Sequence, residues 1–318
     1  MTIIYEDVLK AKKRIDKYIY RTPLDRSMCL SDEDMDIYLK LESQQGMKCA
    51  KLRGALSKLT SLSNEEIKRG IVAISSGNHG AAVSYASYLL GIENVTIYVP
   101  ETTPKPKVEK IKYYGANVIG VGKNYDEAHE IGLERIRDSD SIFVDPCSDE
   151  VVIAGQGTIA IEILEQQPHI DTILVPIGGG GIITGISIAA KHIKPDIKII
   201  GLQTAACPAM VESIKDKKFY EMFPTEPSIC DALVGGVGYI PYKMAEQCID
   251  DIIVVEEEDI AKAVSFLIKK EKVISEPAGA IGVAAVRKNY STLKGRNVAV
   301  VITGGNIDED LMVKLLNK

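Results

Sequence analysis

Short runs rich in valine and isoleucine recur along the chain, separated by stretches whose apolar positions fall at helical spacing. The apolar runs predict strands at Ile37–Glu42, Ile71–Ser75, Asn94–Pro100, Asn117–Val121, Ile142–Asp145, Thr172–Ile177, Ile197–Gln203, Ile252–Val255 and Asn297–Thr303. They are apolar on both faces, as strands buried in a parallel sheet are. Between them, Asn64–Arg69 and Ala81–Leu90 each run into a glycine, Gly70 and Gly91, of the kind that closes a helix. Tyr125–Asp138 places Ala128, Ile131 and Ile136 near helical spacing. Strand–helix alternation of this kind predicts an α/β architecture with parallel sheets.

Three predicted strands run directly into polar or glycine-rich turns: Ser75-Ser76-Gly77-Asn78-His79-Gly80, Gly178-Gly179-Gly180-Gly181 and Thr303-Gly304-Gly305-Asn306. Ligands of open α/β sheets bind outside the carboxyl ends of strands, so these turns are candidate walls of one site. The chain has 318 residues, and a single core stops growing at about 250–300. One large or two ordinary domains follow, with a cleft between two domains as a natural place for the site.

Charge narrows the choice of partner. The formal net charge is only -6 and no basic run is present, which leaves no electrostatic footprint for nucleic acid or an anionic membrane. No apolar run reaches the roughly 20 residues that span a bilayer. The start of the chain lacks the basic-then-apolar pattern of a signal peptide, so a soluble cytoplasmic protein is expected. The six cysteines form no Cys-x-x-Cys pair and read as reduced, mostly buried thiols.

The four consecutive glycines read as a phosphate cup. Without Cβ atoms the backbone can approach a ligand and turn its N–H groups onto an anion, and a helix beginning just beyond adds a favourable dipole. Neither the dinucleotide fingerprint nor the P-loop lysine is present. A lysine entering a helix beside such a cup, Lys51 or its neighbour Lys48, can form a Schiff base with an aldehyde cofactor. The hydroxyls, amide and backbone N–H groups of the Ser75–Gly80 turn can bind a carboxylate, or simply cap the next helix.

In order and spacing these stretches resemble the fold-type II pyridoxal-phosphate enzymes, and within them the serine/threonine dehydratase (threonine ammonia-lyase) and serine racemase branch. The resemblance covers nearly the whole chain. It is carried by Arg21-Thr22-Pro23-Leu24, Lys40-Leu41-Glu42, Lys51-Leu52-Arg53-Gly54-Ala55, the Ser75–Gly80 turn, Ala154-Gly155-Gln156-Gly157-Thr158, Pro176–Gly181, Glu276-Pro277-Ala278-Gly279-Ala280 and Thr303–Asn306. It implies a two-domain fold like that of the tryptophan synthase β chain, with parallel sheets and helices on both faces. Residues 1–69 and 148–318 would form the large domain and residues 70–147 the small one. It implies pyridoxal 5'-phosphate as cofactor, Lys51 as the Schiff-base lysine, and Gly178, Gly179, Gly180 and Gly181 around the phosphate. Asn78 would face the ring hydroxyl and Thr303 the pyridine nitrogen. Ser75, Ser76, Asn78 and His79 would surround the substrate carboxylate, and Ser76 stands where the racemase branch keeps its opposite-face acid/base. The implied reaction is loss of water from threonine or serine to give a 2-oxo acid and ammonia, in a homodimer.

Two departures stand out. The dehydratases read Thr-Gly-Ser-Phe before the lysine, where this chain has Met47-Lys48-Cys49-Ala50. Lost aromatic bulk and an added charge put the substrate's side chain in question; a hydroxyaspartate or an aryl-serine are candidates. Where relatives place metal-binding carboxylates, Gly201–Ala209 has none, so no magnesium or calcium site is expected there. The short tail after Asn306 points to a form without a C-terminal regulatory domain. Racemisation of serine or hydroxyaspartate and a cysteine synthase type of β-replacement are the rival activities. A ligand-binding sensor on the same fold is the non-enzymatic alternative, and a nicotinamide oxidoreductase is disfavoured by the missing fingerprint.

Overall fold

The computed structural model describes residues 3–288, 293 and 296–317. Among them lie ten strands: β1 (Leu24–Arg26), β2 (Asp36–Lys40), β3 (Ile71–Ile74), β4 (Val95–Val99), β5 (Asn117–Gly120), β6 (Ile142–Phe143), β7 (Thr172–Pro176), β8 (Lys198–Thr204), β9 (Asp251–Val255) and β10 (Asn297–Val301). They form a six-stranded sheet, β1-β2-β10-β7-β8-β9, and a four-stranded sheet, β5-β4-β3-β6. All pairings are parallel except β1 with β2. Each strand expected from the apolar runs is present. Strand β1 was not foreseen, because three residues that are half-buried or exposed carry no apolar pattern. No helix among the described residues is long and apolar enough to cross a membrane.

The larger sheet is buried on both faces, as its continuous apolar strands require. Ile173, Val175, Ala299 and Val301 point into one core, while Leu174, Val298 and Val300 point into the other. This is the period-two alternation of a strand read on both sides at once. A third core lies under the smaller sheet. It takes in Ile71, Ala73, Val95 and Ile97, together with Leu52, Leu56 and Leu59 from the helix Lys51–Leu59.

That helix is therefore the joint between the sheets. One face serves the smaller sheet's core. The other lies against the helix Glu150–Gln166, where a methyl at Gly155 would stand 2.6 Å from the Arg53 carbonyl oxygen and 2.9 Å from Gly54 Cα. Only paired glycines allow so close an approach.

A buried ionic network locks the joint. Arg53 is wholly buried; its Nε and Nη2 each donate to Glu42 at 2.8 Å, and its Nη1 donates to Glu162 at 2.7 Å. Lys40, also wholly buried, donates to Glu162 at 2.6 Å and to the Thr22 carbonyl at 2.7 Å. Thr22 Oγ1 donates to Glu42 at 2.6 Å. Burial works against the guanidinium's charge, but Glu42 and Glu162 outweigh it and hold Arg53 protonated. Burial likewise opposes ionisation of Glu162, and Arg53 and Lys40 overcome it. Arg53→Met strands the buried Glu42 carboxylate and leaves Glu162 with Lys40 alone, and is expected to cost roughly 3–5 kcal/mol. Urea unfolding with the slope held constant measures this, and a loss below about 1 kcal/mol would refute the assignment.

Candidate active site

Lys51 is the first residue of its helix and is half-buried; its Nζ has no hydrogen-bond or ion-pair partner among the described residues. The preceding backbone is pinned to the end of β10. Ala50 N donates to Thr303 O at 2.9 Å, Cys49 pairs with Gly304 in an isolated bridge, and Gly305 N donates to Lys48 O at 2.9 Å. Met47 and Lys48 both lie in the left-handed region, with φ of +59° and +57°. This geometry turns the Lys48 side chain out into solvent. Of the two lysines weighed from the sequence, only Lys51 is held within the protein.

The Ser75–Gly80 turn follows β3 and opens the helix Asn78–Leu90. A methyl at Gly80 would sit 2.1 Å from the Ser75 carbonyl oxygen, so the turn closes only with glycine there. Ser75 Oγ accepts from Gly77 N at 3.2 Å, and Ser76 is half-buried with no hydrogen bond from its hydroxyl to a described residue. His79 is buried. Its Nε2 lies 2.7 Å from the Val144 carbonyl, an obligate acceptor, so Nε2 carries the proton; Nδ1 is buried without a partner. Burial, helped by the nearby Lys51 ammonium, pushes His79 down to about 3 against the pull of that carbonyl. The ring is neutral.

The four glycines end β7 and start the helix Gly181–Ile193, with Gly180 at φ +91°. They are pressed from two sides. A methyl at Gly179 would stand 2.2 Å from Cys147 Sγ, and one at Gly178 would stand 2.7 Å from the Ala232 carbonyl. Gly238 N donates to Gly179 O at 2.8 Å, so the segment from Asp231 to Gly238 forms the cup's outer wall. Cys147 lies against the cup; burial raises its thiol, and the Lys51 ammonium opposes that.

The predicted residues thus converge, and they bring unpredicted ones with them. Asn78 Nδ2 donates to Glu276 Oε1 at 2.8 Å, and Asn306 Nδ2 donates to Asn78 Oδ1 at 2.7 Å. Lys110 Nζ donates to Asn306 Oδ1. Burial pushes Glu276 up to about 7, against the hydrogen bond from Asn78. Glu276 and Asn306 lie inside recognisable motifs, but nothing local distinguishes a buried carboxylate from a helix cap. Lys110 carries no motif at all. Two surface cavities of about 110 and 330 Å³ are lined by other residues, with Arg14 between them.

At the stretch expected to lack a divalent-cation site, the side chain of Gln203 closes the turn itself. Its Oε1 accepts from Met210 N and Val211 N, each at 3.0 Å.

Residues 15–304 match the family described as pyridoxal-phosphate dependent enzymes. The chain belongs to this family. It is 41% identical over 318 residues to an L-threonine ammonia-lyase of Thermotoga maritima, covering 99% of this chain and 79% of that one. The processed threonine deaminase isoform 2 of Solanum lycopersicum superposes with a TM-score of 0.91 at 30% identity, over 98% of this chain and 92% of that one. Maize serine racemase gives 0.91 at 31% identity, over 100% and 98%.

This pyridoxal-phosphate dependent enzyme presents a donor set that fits the cofactor. It offers an unpartnered amine on Lys51, a glycine cup at a helix N-terminus that side chains would fill, and a buried Thr303 whose hydroxyl bonds to no described residue. The low proton affinity of His79 has a measurable consequence. A group whose folded pKa is depressed from 6.5 contributes stability above that value and loses it as pH falls toward about 3. NMR titration is expected to show the His79 ring neutral throughout that window, and a midpoint near 6.5 would contradict the buried geometry.

Proposed function

We propose that this enzyme is an ammonia-lyase that removes water from a small β-hydroxy amino acid, threonine or serine, and yields a 2-oxo acid and ammonia. The observation that carries the proposal is the unpartnered amine of Lys51 at a helix start, in electrostatic reach of His79 in the Ser75–Gly80 turn and of Cys147, which abuts the glycine cup. The relatives named threonine ammonia-lyase and threonine deaminase support the choice of substrate.

When bound, pyridoxal phosphate supplies an electron sink for the charge that develops at the substrate Cα. Gly178 to Gly181 would hold its phosphate with backbone N–H groups and the dipole of the helix Gly181–Ile193. Asn78 would hold the ring oxygen, and Thr303, being uncharged, would sit at the ring nitrogen without fixing a proton on it. Ser75, Ser76, Asn78 and the neutral His79 receive the substrate carboxylate, so the turn's N–H groups supply the attraction. Lys51 takes the Cα proton as general base, and the β-hydroxyl leaves as water. Residues 70–147 act as a small domain that shields this step from solvent, in a cytoplasmic homodimer.

Lys51→Ala is expected to lower 2-oxo acid release from threonine by roughly 10²–10⁴-fold or more. Borohydride reduction of the wild type should fix the cofactor to the peptide containing residue 51. Recovery of the label on Lys48, or on no peptide, would sink the proposal.

Racemisation is the second reading, supported by the half-buried hydroxyl of Ser76 and the similarity to maize serine racemase. Proton return from the opposite face needs that hydroxyl, so Ser76→Ala should abolish any D-serine formation while elimination from L-serine falls less. Chiral chromatography alongside the 2-oxo acid assay separates the two, and equal loss of both would argue against Ser76 as the second acid/base.

A further inference from the structure

We infer that Lys110, a residue outside every recognised motif, is a positioning residue: acting through Asn306, it fixes which face of the Asn78 amide is turned to the cofactor ring. The inference rests on the pyridoxal-phosphate reading of the site.

The logic is one of donors and acceptors. An ammonium can only donate, so the contact of Lys110 Nζ with Asn306 requires Oδ1 at that position. Asn306 must then turn Nδ2 inward, where it donates to Asn78 Oδ1 at 2.7 Å and to the Met47 carbonyl at 2.9 Å. With its oxygen so engaged, Asn78 presents Nδ2 to Glu276 Oε1 at 2.8 Å, and one N–H remains for a ring oxygen. An amide alone has no intrinsic preference between its two flips. Here a cation at one end and a carboxyl at the other polarise two amides in series. With the cation removed, only the Met47 carbonyl still opposes a flip of Asn306; in the fraction that flips, Asn78 follows and a carbonyl oxygen faces the anionic ring oxygen.

Placement agrees with this role. Lys110 lies on the helix Lys105–Lys112, whose chain segment belongs with the four-stranded sheet, whereas Asn306 and Glu276 belong with the six-stranded sheet. Its ammonium is half-buried, and no carboxylate among the described residues lies within 4.0 Å of it. One turn earlier, Lys107 pairs with Asp231 at 2.8 Å but touches neither amide. The charged and titratable groups around Glu276 are Asp231, Lys110, Lys107, Cys49 and Cys230. Burial lowers the proton affinity of Lys110, while Cys49 and Glu276 support its charge. Loss of the ammonium makes Glu276 harder to ionise, because Lys110 is one of the groups that favour its carboxylate.

The test is the visible spectrum of the holoenzyme titrated with pH in wild type, Lys110→Met, Lys110→Arg, Lys107→Met and Glu276→Gln. In the wild type the visible band should change with a midpoint near the Glu276 value of about 7, and Glu276→Gln should remove that step. Lys110→Met should shift the band and raise the midpoint by about one pH unit. It should also lower kcat roughly five- to tenfold with a smaller change in KM. Lys110→Arg, which keeps the donor and the charge, should restore both the band and kcat, and Lys107→Met should leave the band maximum in place. A wild-type band with no such step, or a Lys110→Met enzyme with wild-type band and midpoint, overturns the inference alone. A wild type that shows no visible band with excess pyridoxal phosphate overturns the site reading on which it rests.

Discussion

A guanidinium shut away from water organises this enzyme. Arg53 has no exposed surface and is met by two carboxylates, Glu42 from the turn just after β2 and Glu162 from the helix Glu150–Gln166. Because neither acid can turn to solvent, the three groups hold one another to a single arrangement. That arrangement fixes the helix on which Lys51 sits two residues away. A buried charge of this kind is costly to assemble and more costly to break. Its return is positional: the amine projects from a helix start that cannot slide along its neighbours.

Around that fixed point, the remaining parts arrive from the carboxyl ends of strands in two different sheets. The Ser75–Gly80 turn follows β3, the glycine cup follows β7, and the Thr303–Asn306 segment follows β10. None of these turns could be exchanged for ordinary loop sequence. Gly80 and Gly179 stand where a side chain would collide with a carbonyl oxygen and a sulfur. The chemistry is therefore built from backbone geometry first, with a few side chains (Lys51, Asn78, Thr303) added at defined places.

Much of this was legible before any coordinates. Parallel strands buried on both faces leave unbroken apolar runs, and the nine so predicted are present. The polar turns could be read because glycine, serine and asparagine mark backbone that must bend or cap. What could not be read were pairings between distant side chains. Residues 42, 53 and 162 meet in the core, and residues 78, 110, 276 and 306 meet at the site, but no local pattern announces either meeting. Lys110 resembles any solvated helix lysine until the fold brings Asn306 to it. The backbone of Met47 and Lys48 was equally hidden. Lys48 stands where the family's pattern has glycine and nonetheless adopts φ of +57°, a cost of order 1–3 kcal/mol. Bonds to Gln45, Gly305 and Asn306 hold the segment in place against it.

The amide of Gln203 carries a different lesson. It gathers the N–H groups of Met210 and Val211 as a captured cation would organise carbonyls and carboxylates, but with the opposite polarity and through a covalent tether. A bound ion has an off-rate, a competitor and a concentration below which it leaves. A glutamine side chain has none of these: the two hydrogen bonds it contributes to this turn are made within the chain itself, from one residue to its neighbours seven and eight positions on.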